Sequence, residues 1–232
     1  EQRELLHDTD WQTQHPADWA VPRLVAPPES PIWSGLHARN VAPLAEDRQI
    51  LATPWQTRFG QATAPALADP HQDLRRDFGH CPTGPVPANL RAGDIAIWVF
   101  DLGHSQVCVA GAPIDGVAVG DTLTISYAEK LRDGDLVLSD PDTYCRMRPT
   151  DIYHLRHGAQ LAEPFSQRGA RYVVYRLQVA TACTPKLEFY VRTTSAALAE
   201  KPLLAPDDPA LADVAAMCAR TIRTCLQDGF VD

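Results

Sequence analysis

The stretch Asp94-Ile95-Ala96-Ile97-Trp98-Val99-Phe100 decides the fold. Ile95, Ile97 and Val99 alternate with Ala96, Trp98 and Phe100, so an extended run is apolar on both faces. That pattern belongs to a strand buried on both sides. A second strand is expected at 106–110, across a Gly103-His104 turn. Over 122–129, Leu123, Ile125 and Tyr127 alternate with Thr124, Ser126 and Ala128, the period of a strand. Asp133-Gly134 is a hairpin signal leading into 136–138. Further strands are expected at 152–156, 171–179 and 187–193, each flanked by Gly, Pro, Asp or Ser. Strands spaced about a dozen residues apart with no helix between them predict a mainly β chain, an antiparallel, jelly-roll-like β-sandwich.

Helix is expected only after Asp208. Leu211, Val214, Cys218, Ile222 and Cys225 recur there at three- and four-residue steps. Asp208 suits the N-cap, Pro209 the first helical position and Gly229 the stop. An apolar stripe of this kind needs a surface to bury it. Only Phe230, Val231 and Asp232 follow, so the chain is expected to be the front part of a longer polypeptide. At the other end Glu1 is no methionine and no signal-like apolar segment follows, as expected if the natural N-terminus has been removed.

Composition excludes several classes. The 232 residues are 45% hydrophobic and 22% charged, ordinary for a globular protein with a substantial core. The net charge is −8 and there is no basic run, which argues against nucleic acid and anionic membranes as partners. Apolar runs such as 95–100 are too short to span a bilayer. Twenty prolines against thirteen glycines count against an all-helical body.

The six cysteines, Cys81, Cys108, Cys145, Cys183, Cys218 and Cys225, form no C-x-x-C or zinc-like spacing and are read as small buried hydrophobes. Asp133, Asp135, Asp140 and Asp142 cluster in one loop but lack EF-hand spacing; a solvated, turn-forming loop is preferred over a calcium site. His154 and His157, three apart in a strand, fall on opposite faces and make a poor metal pair. No metal, cofactor or complete catalytic set is expected. Trp11, Trp19, Trp33 and Trp55 punctuate an aperiodic N-terminal region, as anchors pinning it to a sheet or, less favoured, as sugar platforms.

A family resemblance runs through these strands. Val99-Phe100-Asp101-Leu102-Gly103 is similar to the "DFG" strand of the β-sandwich that precedes the catalytic barrel in bacterial α-L-rhamnosidases, glycoside hydrolase family 78. Ser126-Tyr127-Ala128-Glu129 resembles that domain's "YSE.L" strand. Asp151-Ile152-Tyr153, then Phe165-Ser166-Gln167-Arg168-Gly169-Ala170-Arg171-Tyr172-Val173, resembles its "DRY…F..RGFRY" signature. Trp33 with Arg39-Asn40-Val41-Ala42-Pro43-Leu44 is similar to the lead-in segment. Phe230-Val231-Asp232 resembles the opening of the family's "D-C-P-x-R-E" motif at the start of an (α/α)6 barrel. No match is found to the rhamnose-binding calcium module of some members, and the first thirty residues are unassigned.

The resemblance implies a lead-in segment at 1–45, an accessory sandwich at 46–193, a linker at 194–207 and the first barrel helix at 208–232. It implies that Asp232 contacts rhamnose, the one substrate-binding candidate. The family's general acid lies five residues further on, and a second carboxylate activates water in an inverting hydrolysis of terminal α-L-rhamnosyl residues. Neither lies in this chain, which holds no catalytic residue and is expected to be inactive alone. Its expected partners are a rhamnose-containing carbohydrate and the remainder of its own catalytic domain, with homo-oligomerisation and compartment left open. The rival reading is a stand-alone β-sandwich carbohydrate-binding module.

Overall fold

The computed structural model describes residues 23, 25–27, 29–33, 44–63, 70–132, 135–138, 149–196 and 208–226. The chain divides into two units, Glu46–Thr194 and a second made of Glu1–Ala45 with Ser195–Asp232. Its strands are β1 (Ala45–Ile50), β2 (Gln56–Gln61), β3 (Asp94–Asp115), β4 (Thr122–Ala128), β5 (Leu131–Arg132) and β6 (Asp135–Leu136). After them come β7 (Thr150–His154), β8 (Gln160–Ala162), β9 (Arg168–Gln178), β10 (Lys186–Leu187) and β11 (Tyr190–Ser195). A 3-10 turn (Pro31–Trp33) and two α-helices, α1 (Pro70–His80) and α2 (Pro209–Cys225), complete the described elements. Neither α-helix is long and apolar enough to cross a membrane.

The fold is mainly β, as the alternation predicts. Nine strands form one curled antiparallel sheet in the order β1-β11-β3-β9-β4-β7, with β2, β8 and β10 also paired to β3. β5 and β6 make a separate two-stranded ribbon, Leu131 facing Leu136; Asp133 and Gly134, read as a hairpin signal, lie outside the described residues.

One correction concerns the Gly103-His104 turn. The runs at 95–100 and 106–110 are halves of the single 22-residue strand β3. β9 lies beside both: Ile95 to Asp101 pair with Gln178 to Tyr172, and Gln106 to Cys108 pair with Ala170 to Arg168. Between those ladders, residues 102–105 of β3 face Arg171 alone. Gly103 (φ 81) sits in this bulge, and the Asp101 carboxylate accepts its N–H at 2.8 Å. A glycine able to adopt positive φ serves a bulge as well as a reversal. The bulge bends β3 so that its first half pairs with β2 and its second with β11, β8 and β10.

Both faces of the first half are buried, as its composition requires. Ala96 and Phe100 join Leu123, Ile125, Tyr127, Val173, Tyr175 and Leu177 in one core. Tyr175, fully enclosed there, donates its hydroxyl to the carbonyls of Gly111 (3.2 Å) and Tyr190 (3.0 Å). Ile95, Ile97 and Val99 join Tyr172, Val174, Leu74 and Phe78 in the other core.

The cover over that second core is a helix, against the expectation of none before Asp208. α1 reads Pro-His-Gln-Asp-Leu-Arg-Arg-Asp-Phe-Gly-His, and its inward apolar side chains are only Leu74 and Phe78. Polar groups anchor the rest. Arg176 of β9, 3% exposed, donates through Nε to Asp77 Oδ2 at 2.8 Å, through Nη2 to the same oxygen, and from Nη2 to Gln178 at 2.8 Å. Arg76 adds bonds to Asp77 (3.1 Å) and Asp73 (2.8 Å). Arg58 of β2 donates to the carbonyls of Phe78 (2.7 Å) and Cys81 (3.2 Å), groups a helix end leaves unpaired. Its guanidinium lies 4.1 Å from the Phe78 ring centroid. The buried His71 ring meets Thr150 Oγ1 at 2.9 Å, which in turn meets Ser126 Oγ at 3.0 Å. β2 runs close beneath: a Cβ on Gly60 would stand 2.8 Å from Cys81 Sγ.

α2 begins as its sequence indicates. The Asp208 carboxylate accepts the Ala210 N–H at 2.9 Å, with Pro209 in the first turn. It ends at Cys225 with Leu226 extended; the expected stop at Gly229 lies outside the described residues. Leu211, Val214, Met217 and Ile222 are exposed, and no α2 residue is buried. The cysteine reading needs correction too. Cys81 and Cys108 are buried, but Cys183 and Cys225 are only partly so, and Cys218 is exposed.

Truncating a buried ion pair strands its partner, which costs about 3–5 kcal/mol, whereas exposed pairs contribute below about 1 kcal/mol. Asp77→Ala is therefore expected to lower stability to urea far more than Arg48→Ala, which removes the half-exposed Arg48–Glu188 pair. Equal losses would show that Asp77 does not anchor α1.

Candidate functional site

The residues that carry the family resemblance come from separate strands and meet in two places on the sheet. At the β3 bulge, Arg171 grips Asp101 with two parallel bonds, Nε to Oδ1 at 2.9 Å and Nη2 to Oδ2 at 3.0 Å. The Arg171 Cζ atom lies 5.1 Å from the Tyr172 ring centroid, and the Trp55 ring centre lies 5.7 Å from the same ring at a 48° tilt. The Arg171 hydrogen bonds hold the Asp101 carboxyl below the usual carboxylate range, with the Gly103 N–H assisting against partial desolvation.

The second meeting point joins β4, β7 and β9. Arg168 reaches Asp151 at 3.0 Å. The Tyr127 hydroxyl lies close by, and neither it nor Asp151 Oδ2 has a well-formed hydrogen bond among the described residues. Burial pushes Asp151 up, and the neighbouring Arg168 only partly opposes it. Burial likewise holds the Tyr127 and Tyr153 phenols well above their ordinary range. Glu129 Oε1 sits 3.3 Å from where a Cβ on Gly169 would stand. The small residue after Arg168 thus lets the Ser126-Tyr127-Ala128-Glu129 segment pass close to β9.

A third network, not anticipated from sequence, lies near the far end of β3. The Tyr190 hydroxyl donates to Glu163, and Arg192 bonds Glu163 at 2.8 Å and Glu46 at 3.0 Å. Arg48 Cζ stands 4.0 Å from the Tyr190 ring centroid. The Tyr190 ring rests on Gly111, where a Cβ would come within 2.3 Å of it. A glycine inside an apolar strand pattern was the signal available for this contact.

These arrangements hold strands together and present polar groups; they do not form a nucleophile with its base. Asp101, Asp151 and Glu163 are each matched to an arginine. The Cys108 thiol is pushed up to about 12 by burial, far from a reactive thiolate. Asp232 lies outside the described residues, as do Asp133, Asp140, Asp142, Trp11 and Trp19. Asp135 is described only as backbone of β6. His154 ends β7 and His157 lies in the bend after it, and no three metal-capable side chains gather among the described residues. Trp33 sits in a short 3-10 turn and is 37% exposed, while Trp55 is 46% exposed, so neither is a fully buried anchor.

No family model and no curated protein matches the chain. Solved structures do. A GH78-family rhamnosidase of Bacillus sp. GL1 matches with 26% identity and a TM-score of 0.52, over 64% of this chain and 15% of that one. The chain is similar in structure to part of a family 78 rhamnosidase. A Klebsiella oxytoca rhamnosidase solved with rhamnose bound shares the fold, with 16% identity and a TM-score of 0.52, over 80% of this chain and 36% of that one. The rhamnosidase-like chain thus spans well under half the length of either neighbour.

The Asp101 and Asp151 carboxylates respond oppositely to pH. Asp101, lowered in the fold, contributes stability above about pH 4 that is lost as pH falls through its folded value. Asp151, raised in the fold, contributes stability that is full below about pH 4 and lost as pH rises through its folded value. Urea titrations across acid to neutral pH should show Asp101→Asn losing most, relative to wild type, at neutral pH. Asp151→Asn should fare better against wild type as pH rises; gaps that move in parallel would contradict the assignment.

Proposed function

We propose that the chain is the N-terminal accessory part of an α-L-rhamnosidase-like glycoside hydrolase. In this reading the parent protein removes terminal α-L-rhamnosyl residues with inversion, using two opposed carboxylates on an (α/α)6 barrel. The 46–193 sandwich packs on that barrel and helps shape the active-site entrance. Segment 1–45 leads in, 194–207 links, and 208–232 supplies the first barrel helix, with Asp232 reaching the rhamnose. The chain alone does not hydrolyse glycosides.

The observation that carries this reading is the structural likeness to two rhamnosidases, joined to the way the motif residues meet. Asp101 with Arg171 pairs residues of two separate motifs of the resemblance, and Asp151 with Arg168 joins the two parts of one. α2 adds independent support. Leu211, Val214, Cys218, Ile222 and Cys225 recur at helical spacing as an apolar stripe, yet no residue of the helix is buried. A helix with such a stripe needs a surface to bury it.

Two measurements test the reading. The parent protein is expected to release p-nitrophenol from p-nitrophenyl α-L-rhamnopyranoside with inversion visible by proton NMR, while the 232-residue chain releases none. A parent that cleaves other glycosides but not this one would overturn the substrate assignment. In a dilute, verified monomer of the chain, amides of α2 are expected to exchange faster than those of β9. Full protection of α2 would mean that it does not await barrel helices.

A further inference from the structure

Trp55 and the Arg171–Asp101 fork both lie against the Tyr172 ring. Trp55 is 46% exposed and its ring leans on Tyr172, which is 2% exposed and packed in the core. Arg171 lies against the same ring, and Asp101 locks its guanidinium through Nε and Nη2. The Arg171 side chain is 40% exposed, and its Nη1 group makes no hydrogen bond among the described residues. Asp101 already neutralises the guanidinium, so an anion would have to displace the carboxylate and a cation would meet the arginine. What suits the surface is a neutral group with an apolar face and hydroxyls on its rim, since an exposed indole offers apolar contact and Nη1 offers donors.

We propose that Trp55, Arg171 and Asp101 form a contact site for a neutral pyranose residue of an oligosaccharide. The indole takes the C–H face of the ring, and Arg171 Nη1 donates to a hydroxyl at its edge. The choice of a rhamnosylated ligand as first probe rests on the glycosidase reading; the site itself does not need a barrel.

The test is a titration of the 15N-labelled full chain with methyl α-L-rhamnopyranoside, a rhamnosylated oligosaccharide and an unrhamnosylated gluco-oligosaccharide. The Trp55 indole N–H signal, assigned by its loss in Trp55→Phe, is expected to shift saturably with at least one of them, along with Arg171 Nε–H. Affinity is expected to fall at least about tenfold in Trp55→Ala and in Arg171→Lys, both checked for an unchanged fold by circular dichroism. No shift of either signal up to about 50 mM sugar, or binding that survives Trp55→Ala unchanged, would overturn the site. Binding is read here without hydrolysis, so the two readings fail separately. Rhamnosidase activity in the parent with a silent Trp55 removes only the site, and a saturable Trp55 signal with no parent activity removes only the rhamnosidase reading.

Discussion

A 22-residue strand must bend if both of its halves are to find partners in a twisted sheet. The bulge at residues 102–105 supplies the bend, and nearly every other strand is placed by it. β2, β8, β9, β10 and β11 all pair with β3 directly. β4 and β7 are added through β9, and β1 through β11. The Asp101 carboxylate binds the bulge glycine and Arg171 together, so the residue that shapes the bend also ties it to the strand across the gap. Local backbone conformation and long-range pairing are settled by one side chain.

Elsewhere the sheet relies on charge-assisted bonds where apolar surface is scarce. α1 has too few apolar residues to adhere by burial alone, and Asp77 with Arg176 compensates in a site from which water is excluded. Such a pair contributes little over a well-packed apolar one, but it permits one seating of the helix, because any shift leaves a buried charge unmatched. Arg58, capping the last carbonyls of α1 and stacking on Phe78, fixes the helix axially.

The legible parts of this fold were those where burial writes a period into the sequence. Ile95 to Phe100, apolar on both faces, and Leu123 to Tyr127, alternating, lie in strands that do what their patterns imply. Asp208 and Pro209 marked the start of α2 through elementary capping chemistry. α1 is illegible in the sequence because His71, Asp73 and Asp77 are buried beside only Leu74 and Phe78, and the two carboxylates look like solvated residues. β1 and β2 are polar and carry no apolar alternation: β1 is exposed throughout, and β2 offers only Phe59 to the core. In the sequence Gly103 signals a reversal as readily as a bulge, since both demand the same backbone angle. In the motif region, sequence order indicated kinship but not that Asp101 would meet Arg171 or Asp151 meet Arg168. Those pairings depend on the strand order β3-β9-β4-β7, which no local pattern specifies.

The cysteines give the molecule a chemical contrast of its own. Cys108 stays protonated inside the sheet, and Cys81 is wedged against Gly60 beneath α1. Cys218 stands in water on α2. Among the described cysteines, a maleimide dye or nitroxide would therefore attach first to α2 in the unmodified protein and leave the core of the sheet unmarked. The wild-type sequence thereby carries its own handle for following, by fluorescence or spin-label spectroscopy, what that helix meets.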